Sequence, residues 1–111
     1  MYYHMVVGSV DRVFHALADG TRRDILVRTL RDEHSVSALA RLYPMTFAAV
    51  QKHVAVLETA GLVTKRRSGR EQLVTGNVET IRRAGELLDE LEAVWLSRLD
   101  RFGDVLEGDE E

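Results

Sequence analysis

The single proline, Pro44, is the feature that most constrains the fold, because it separates two segments with helical apolar spacing. Before it, residues 36–42 place apolar side chains on one helical face. After it, the same spacing returns at Val50, Val54 and Leu57. Proline cannot continue a helix and restricts the residue that precedes it. The sequence therefore predicts two helices joined by a short turn.

Side chains that favour the N-cap position predict where each helix begins. They are, in chain order, Ser9, Thr21, Ser35 or Ser37, Thr46 and Asn77. Asp24, three residues after Thr21, completes a pattern that resembles a capping box. Gly61 follows the fourth helix at the position where glycine commonly ends one. Helix, short turn, helix is the outline of a helix-turn-helix.

Two β-prone runs follow the fourth helix, and Ser68 and Gly69 between them predict a β-hairpin with a two-residue loop. This register places Arg67 opposite Arg70. Four cations lie near the hairpin tip: Lys65, Arg66, Arg67 and Arg70. Opposed like charges destabilise a hairpin by about 0.2–1 kcal/mol, and a bound phosphate backbone would remove that cost. A solubilising edge is the alternative explanation of this charge.

The outer face of the fourth helix has the composition of a DNA-recognition helix. With its apolar stripe turned inward, the outward residues are Thr46, Phe47, Ala48, Gln51, Lys52 and Ala55. Two alanines let another surface approach closely, Gln can pair with adenine, and Lys can reach guanine or phosphate. An ordinary surface helix is the alternative. A basic hairpin directly after a helix-turn-helix is more specific than either element and predicts DNA binding.

The net charge of −3 hides a basic amino-terminal part. Residues 1–75 carry 11 Lys/Arg and 7 Asp/Glu, a net +4, whereas residues 76–111 carry 4 and 11, a net −7. This asymmetry predicts a basic working surface on one part of the chain and an acidic face or tail on the other. Arg22 and Arg23, at the start of the second helix, would contact phosphate or pair with nearby acids.

Three strings, Val13–Leu26, Ser37–Ala40 and above all Ala49–Val63, resemble the ArsR/SmtB family of winged-helix bacterial repressors, and the match covers about residues 10–102. The resemblance implies a mainly α winged helix-turn-helix and a homodimer that binds operator DNA and is released by a signal. Carried over by position, the residues facing DNA are Thr46, Phe47, Gln51, Lys52 and His53 on the helix, with Arg66, Arg67 and Arg70 in the wing.

The chain departs from the family at the positions that sense metals. Metal-sensing members resemble one another in a cysteine pair near the third helix, where this chain has Val36–Leu39, or in Asp/His sets on the last helix, which here has no histidine. The four histidines lack the spacing that would place two on one helical face. We therefore expect no metal and no cofactor, and the residues identify no effector. A metal-responsive repressor with a His/carboxylate site is the alternative.

The sequence lacks the motifs of other classes of function. The absence of cysteine excludes disulfides, thiolate zinc sites and a Cys nucleophile. There is no phosphate-binding glycine loop, no His-Glu-x-x-His and no nucleophile elbow, so we do not expect an enzyme. The apolar runs are too short for a membrane span and no signal peptide precedes them, which predicts a cytoplasmic location. A winged-helix dimer used only for protein interactions is a further alternative, but its wing would not need four cations.

The 111 residues suffice for one domain, with residues 1–8 and 107–111 as frayed tails. The last predicted helix carries a stripe too long for so small a domain to cover: Leu88, Leu91, Trp95, Leu99 and Phe102. The first helix adds Val10, Val13, Phe14 and Leu17. We predict a twofold dimer interface from both, and hence an inverted-repeat operator. A helix folded back over its own core is the alternative.

Overall fold

The computed structural model describes the backbone of residues 2–110 and the side chains of residues 8–106. Its elements are α1 (Tyr2–Leu17), α2 (Gly20–Arg31), β1 (His34–Ser35), α3 (Val36–Ala40), α4 (Phe47–Thr59), β2 (Val63–Ser68), β3 (Glu71–Gly76) and α5 (Val78–Glu110). The predicted winged helix-turn-helix with a hairpin and a long last helix is confirmed. The chain divides into two compact units, Met1–Ile81 and Arg82–Glu111.

α1 begins at Tyr2 and not at Ser9, where the sequence predicts its start. That prediction rested on apolar periodicity, which residues 2–8 lack. The hydrogen bonds of a helix are local, however, and need no apolar stripe. The buried side chains of α1, Val13 and Ala16, belong to the core of the first unit.

Asp19 caps α2, because its carboxylate accepts a hydrogen bond from the backbone N–H of Arg22 at 3.0 Å. The predicted capping box of Thr21 and Asp24 is therefore wrong. The helix begins at Gly20, directly after its cap, and this start places Asp24 within the helix. The Asp24 carboxylate therefore does not cap the helix, and it contacts other side chains instead.

The helix-turn-helix has the predicted caps. Ser35 caps α3 and Thr46 caps α4, each accepting from the backbone N–H three residues on, at 3.0 and 3.1 Å. The first bond decides between Ser35 and Ser37, the two candidates for this cap. Gly61 follows α4 with φ +78°, the left-handed conformation that commonly ends a helix.

The core of the first unit lies where α2, α3 and α4 pack against the sheet and α1 packs on α2 and α4. Its buried apolar side chains are Val13, Ala16, Ile25, Leu26, Val36, Leu39, Val50, Val54, Leu57, Leu62, Val63 and Val74. The apolar stripe predicted for α4 supplies three of these. Burying them turns the polar side of that helix outward.

The sheet has three antiparallel strands in the order β1-β3-β2. The two-residue strand β1 was not predicted, and it pairs His34 with Val74 and Ser35 with Leu73. A strand this short leaves no periodic signal in a sequence. Its pairing joins the segment before α3 to the base of the wing.

The hairpin loop is Gly69 and Arg70, and not Ser68 and Gly69. Gly69, the first loop residue, has φ +61°. A positive φ at the first of two loop residues is typical of a hairpin turn with glycine at that position. Among the described residues, none other than glycine has a positive φ. Arg67 consequently lies opposite Gln72. The predicted opposition of Arg67 and Arg70 is wrong.

Gly76 ends β3 and lies against Leu30 of α2. A Cβ added there would lie 2.6 Å from Leu30 Cδ2 and 3.0 Å from its backbone nitrogen, so α2 or the strand would have to shift. We expect Gly76→Ala to lower the free energy of unfolding by about 1–3 kcal/mol, measured by urea unfolding. Gly20→Ala is the matched control, because the nearest atom lies at 3.7 Å. Equal stability of the two variants would contradict this prediction.

Asn77 caps α5, as predicted, by accepting from the backbone N–H of Glu79 at 3.1 Å. Its amide also donates to the carbonyl oxygen of Gly61 at 3.2 Å, and the Thr80 hydroxyl donates to the same oxygen at 2.6 Å. These bonds tie the start of α5 to the end of α4.

Among the described residues, no helix is both long and apolar enough to cross a membrane.

Candidate nucleic-acid interface

The first two turns of α4 present the predicted recognition surface. The side chains of Thr46, Phe47, Ala48, Gln51 and Lys52 are exposed there, and His53 beside them is half-buried. Phe47 is 47% exposed, so the core of the first unit does not need it. Within the described part of the chain, the side chains of Gln51 and Lys52 make no hydrogen bond or ion pair. Both side chains are therefore available to a ligand.

Arg22 connects this surface to α1. Its Nε donates to the carbonyl oxygen of Ala16 at 2.8 Å and its Nη2 to that of His15 at 3.0 Å. These carbonyls lie at the C-terminal end of α1, where a cation is favoured. Arg23 makes the same kind of bond to the carbonyl oxygen of Leu17 at 2.8 Å. The structure thus gives both arginines a role that the sequence did not suggest, as caps of the preceding helix.

The third nitrogen of Arg22 orients His53. Nη1 of Arg22 lies 3.4 Å from Nδ1 of His53. Since a guanidinium can only donate, this contact is a hydrogen bond in the tautomer whose Nδ1 accepts, and that tautomer carries its hydrogen on Nε2. His53 then offers an N–H donor beside Gln51 and Lys52. The sequence held no signal for this contact, because the two residues are 31 positions apart.

Two of the four wing cations are neutralised by carboxylates. Lys65 Nζ lies 3.3 Å from Glu58 of α4, and Arg66 Nη2 lies 2.8 Å from Glu33. Arg67 donates from Nε to the carbonyl oxygen of Gly69 at 3.2 Å and has no carboxylate partner among the described residues. Arg70, in the loop, likewise has none. The net positive charge of the wing tip comes from these two arginines.

Tyr43 braces the turn before the recognition helix. Its hydroxyl donates to Asp24 Oδ2 at 2.5 Å, and Arg28 Nε donates to the same oxygen at 2.8 Å. The Tyr43 bond, followed by that of Arg28, lowers the pKa of Asp24. Burial, aided by the Asp24 carboxylate, raises the pKa of Tyr43 to about 12. Only the i,i+4 spacing of Asp24 and Arg28 could have been seen in the sequence.

We expect this cluster to make stability fall at both extremes of pH. The pKa of Tyr43 is raised from 10.0, so its contribution is complete below pH 10 and is lost as the pH rises toward 12. The pKa of Asp24 is lowered from 3.8, so its contribution is present at neutral pH and is lost at pH values below 3.8.

Tyr43→Phe separates the alkaline loss from other effects. The variant should lose about 1 kcal/mol of unfolding free energy at neutral pH, because a hydrogen bond is removed. It should also lose less stability than the wild type between pH 7 and 11. Urea midpoints of both proteins at the two pH values provide the measurement. An equal decrease in the two proteins would show that Tyr43 is not responsible.

The predicted interface residues of α5 are exposed in the second unit. Leu88, Leu91, Trp95, Leu99 and Phe102 keep 46–63% of their surface accessible. The Arg98 guanidinium carbon lies 5.5 Å from the centre of the Trp95 ring, a cation–π contact.

The predicted interface residues of α1 lie in the first unit and differ in burial. Val10, Phe14 and Leu17 are half-buried. Val13 is only 4% exposed, so it is a core residue of the protomer and has no surface to offer a partner. No group of three or more His, Cys, Asp and Glu side chains that could hold a metal occurs among the described residues.

A helix-turn-helix with an open recognition face and a basic hairpin beside it defines a winged helix-turn-helix regulator of transcription. No family model matches the chain. It is 37% identical over 104 residues to the HTH-type transcriptional regulator Rv2034 of Mycobacterium tuberculosis, covering 92% of this chain and 94% of that protein. The chain belongs to the ArsR family of transcriptional regulators and is not an enzyme.

Solved structures agree with this assignment. An ArsR-like transcriptional regulator from Rhodococcus sp. RHA1 matches with a TM-score of 0.79 and 30% identity, over 89% of this chain and 93% of that one. The homodimeric winged helix-turn-helix DNA-binding domain of Mb0332 from Mycobacterium bovis, a possible ArsR-family regulator, matches with a TM-score of 0.62 and 30% identity. That match covers 87% of this chain and 83% of the other.

Proposed function

We propose that this protein is a homodimeric repressor that binds an inverted-repeat operator, with α4 in the major groove and the wing on the phosphate backbone. The observation that carries the proposal is the exposed, unpartnered start of α4. The side chains of Gln51 and Lys52 have no partner within the described part of the chain, and the unneutralised arginines of the wing lie on the hairpin that follows this helix.

Each side chain on this face has a chemistry that suits a base pair or a phosphate. Gln51 can bond adenine through both amide atoms, and Lys52 can reach guanine or phosphate. Phe47 can contact a thymine methyl group, an apolar contact that needs no polar atom. Thr46 and Ala48 are small enough to let the helix enter the groove. His53 offers its Nε2–H to a phosphate oxygen.

Arg67 and Arg70 supply the sequence-independent part of binding. Arginine bonds phosphate oxygens in a bidentate manner and releases condensed counterions when it does so. The overall charge of the protein is negative, so these contacts must come from a local surface. The basic first 75 residues provide it, while the acidic charge is concentrated in the remainder.

The dimer is proposed from the exposed stripe of α5. Five large apolar side chains on one face of a helix are costly to leave in water, and a second copy of the same helix can cover them. The homodimeric state of the Mycobacterium bovis domain supports this assembly. Val10, Phe14 and Leu17 of α1 remain in the proposed interface, and Val13 is omitted because it is already buried.

A twofold dimer places its recognition helices in successive major grooves about 34–36 Å apart, which requires an inverted repeat. Repression then follows where the operator overlaps a promoter, as the family resemblance implies. The family that the chain resembles consists of bacterial repressors, whose DNA lies in the cytoplasm, and we place the protein there.

Selection of duplexes from a random library with the purified protein tests the proposal. We expect enrichment of an inverted repeat whose half-site centres are one helical turn apart, about 10–10.5 base pairs. A mobility-shift titration on the enriched duplex and on a scrambled one then gives the specificity ratio, expected to be at least about 10³. Failure to enrich any sequence would overturn the proposal, and enrichment of a single half-site would overturn the dimeric form of it.

A further inference from the structure

Glu33 joins all three strands of the sheet at the base of the wing. It directly precedes β1, and its carboxylate accepts two hydrogen bonds from Arg66 of β2, from Nε at 3.1 Å and from Nη2 at 2.8 Å. The hydroxyl of Thr75, on the central strand β3, donates to Glu33 Oε2 at 3.1 Å. One carboxylate therefore fixes the end of β1 to both strands of the hairpin.

The register places this cluster on one face of the sheet. Arg66 lies opposite Leu73, and Thr75 lies opposite Thr64, two residues before Arg66 on the same strand. Side chains alternate between the faces of a strand, so Arg67 lies on the other face. Lys65 shares that other face and reaches Glu58 of α4. The wing thus carries Arg66 on the face of Glu33, and Arg67 on the face that Lys65 joins to the recognition helix.

The pairing of Arg66 with Glu33 is well formed for an exposed ion pair. The bonds are bidentate, and the Glu33 side chain is 35% exposed while that of Arg66 is 62% exposed. The Arg66 bonds, followed by that of Thr75, lower the pKa of Glu33, so the carboxylate is charged at neutral pH. Arg66 consequently adds no net charge to the wing, although it lies only one residue before Arg67.

We propose that Glu33 is a positioning residue that withholds Arg66 from DNA, so that the wing contacts phosphate through Arg67 and Arg70 alone. The inference rests on the proposed function and differs from the family resemblance at one residue, because the resemblance assigns Arg66 to the DNA contact. Phosphate contacts strengthen binding to all sequences alike. Neutralising one of three wing arginines therefore limits sequence-independent binding and leaves base reading by α4 unchanged.

A set of five variants tests this inference: Glu33→Gln, Arg66→Ala, the two combined, and, as matched controls, Glu71→Gln alone and combined with Arg66→Ala. Glu71 lies near the wing tip, opposite Ser68, and has no ion-pair partner among the described residues. Binding to a scrambled duplex and to the selected operator is measured from 50 to 200 mM salt, and the slope of log K against log salt is compared. Circular dichroism checks that each variant is folded.

We expect Arg66→Ala to leave the salt slope unchanged, and Glu33→Gln to steepen it by about 1, a fourfold greater loss of affinity over this salt range. The effect of Glu33→Gln should disappear in the Arg66→Ala background. Glu71→Gln removes the same charge, but its smaller effect should be the same whether Arg66 is present or absent. A slope that falls by about 1 in Arg66→Ala alone, or a Glu33→Gln effect that persists without Arg66, would overturn the inference.

A measurement without DNA separates this inference from the proposed function. The pKa of the Glu33 carboxyl, followed by nuclear magnetic resonance, should rise toward its ordinary value of 4.5 in Arg66→Ala. An unchanged pKa would show that Arg66 does not hold Glu33, whatever the protein binds. A pKa that rises in a protein that binds no duplex would instead overturn the proposed function and confirm the ion pair.

Discussion

Leu91→Asp should convert the protein to a monomer and reduce its affinity for the operator by at least about 10³-fold. Leu91 is 59% exposed at the middle of the α5 stripe, and a charge there would be buried without a partner in the dimer. A monomer holds one recognition helix and loses the second half-site, so only the weak binding of a single half-site remains. Analytical ultracentrifugation and a mobility-shift titration measure the two effects.

Ala93→Asp is the matched control for this substitution. It adds the same charge to α5, but residue 93 lies on the side of the helix opposite the stripe, at 100° per residue. Trp95, the single tryptophan, gives an independent signal, because its fluorescence shifts to the blue when a partner buries its exposed half. We expect dilution to shift the emission of the wild type and of Ala93→Asp to the red, and Leu91→Asp to be red-shifted at every concentration. A Leu91→Asp protein that still binds the operator as a dimer would contradict the proposed interface.

The helix-turn-helix could be predicted from the sequence because its signals are local. A cap such as Thr46 acts on a backbone N–H three residues away, and the stripe of Val50, Val54 and Leu57 follows the period of one helix. Local signals did not determine the start of α2. Asp19 and Thr21 are both residue types that favour the N-cap position, and only the bond to Arg22 shows which of them caps the helix.

The register of the hairpin could not be predicted from local sequence signals. The predicted register paired Arg67 with Arg70, whereas the structure pairs Arg67 with Gln72, two positions further on. A shift of two residues keeps every side chain on the same face, so the apolar pattern fits either register. The predicted loop and the observed loop both contain Gly69. Only the folded hairpin shows that Gly69 is the first loop residue, with a φ of +61°.

The residues that arrange the site could not be found from spacing. Glu33 meets Arg66 across 33 positions, Arg22 meets His53 across 31, and Tyr43 meets Asp24 across 19. The family resemblance assigns a role to Arg66 by position alone and is blind to the carboxylate beside it. The candidate surface of α4 was predictable, but which wing cations are free became apparent only when the strands were paired.

A second large effect is expected from variants that separate the two parts of DNA binding, contact with phosphate by the wing and recognition of bases by α4. Arg67→Ala combined with Arg70→Ala should weaken binding to operator and scrambled duplex alike, and lower the salt slope by about 2 if each arginine contacts one phosphate. Gln51→Ala should instead weaken operator binding by about 1–3 kcal/mol, with the slope unchanged, because an amide releases no counterion. Neither the arginines nor Gln51 bond to a distant part of the described chain, so the fold should tolerate both changes.

Lys65→Ala is the control for the double arginine variant, because it removes a cation of the same hairpin that Glu58 already neutralises. Its slope should stay close to that of the wild type. The preference of Gln51→Ala is then read by repeating the duplex selection, and the loss should be confined to one base pair in each half-site, as expected when a single side chain reads it. If Gln51→Ala lowered the slope as much as the double arginine variant, or if the arginine variant altered the selected sequence, α4 and the wing would not have the separate roles proposed for them.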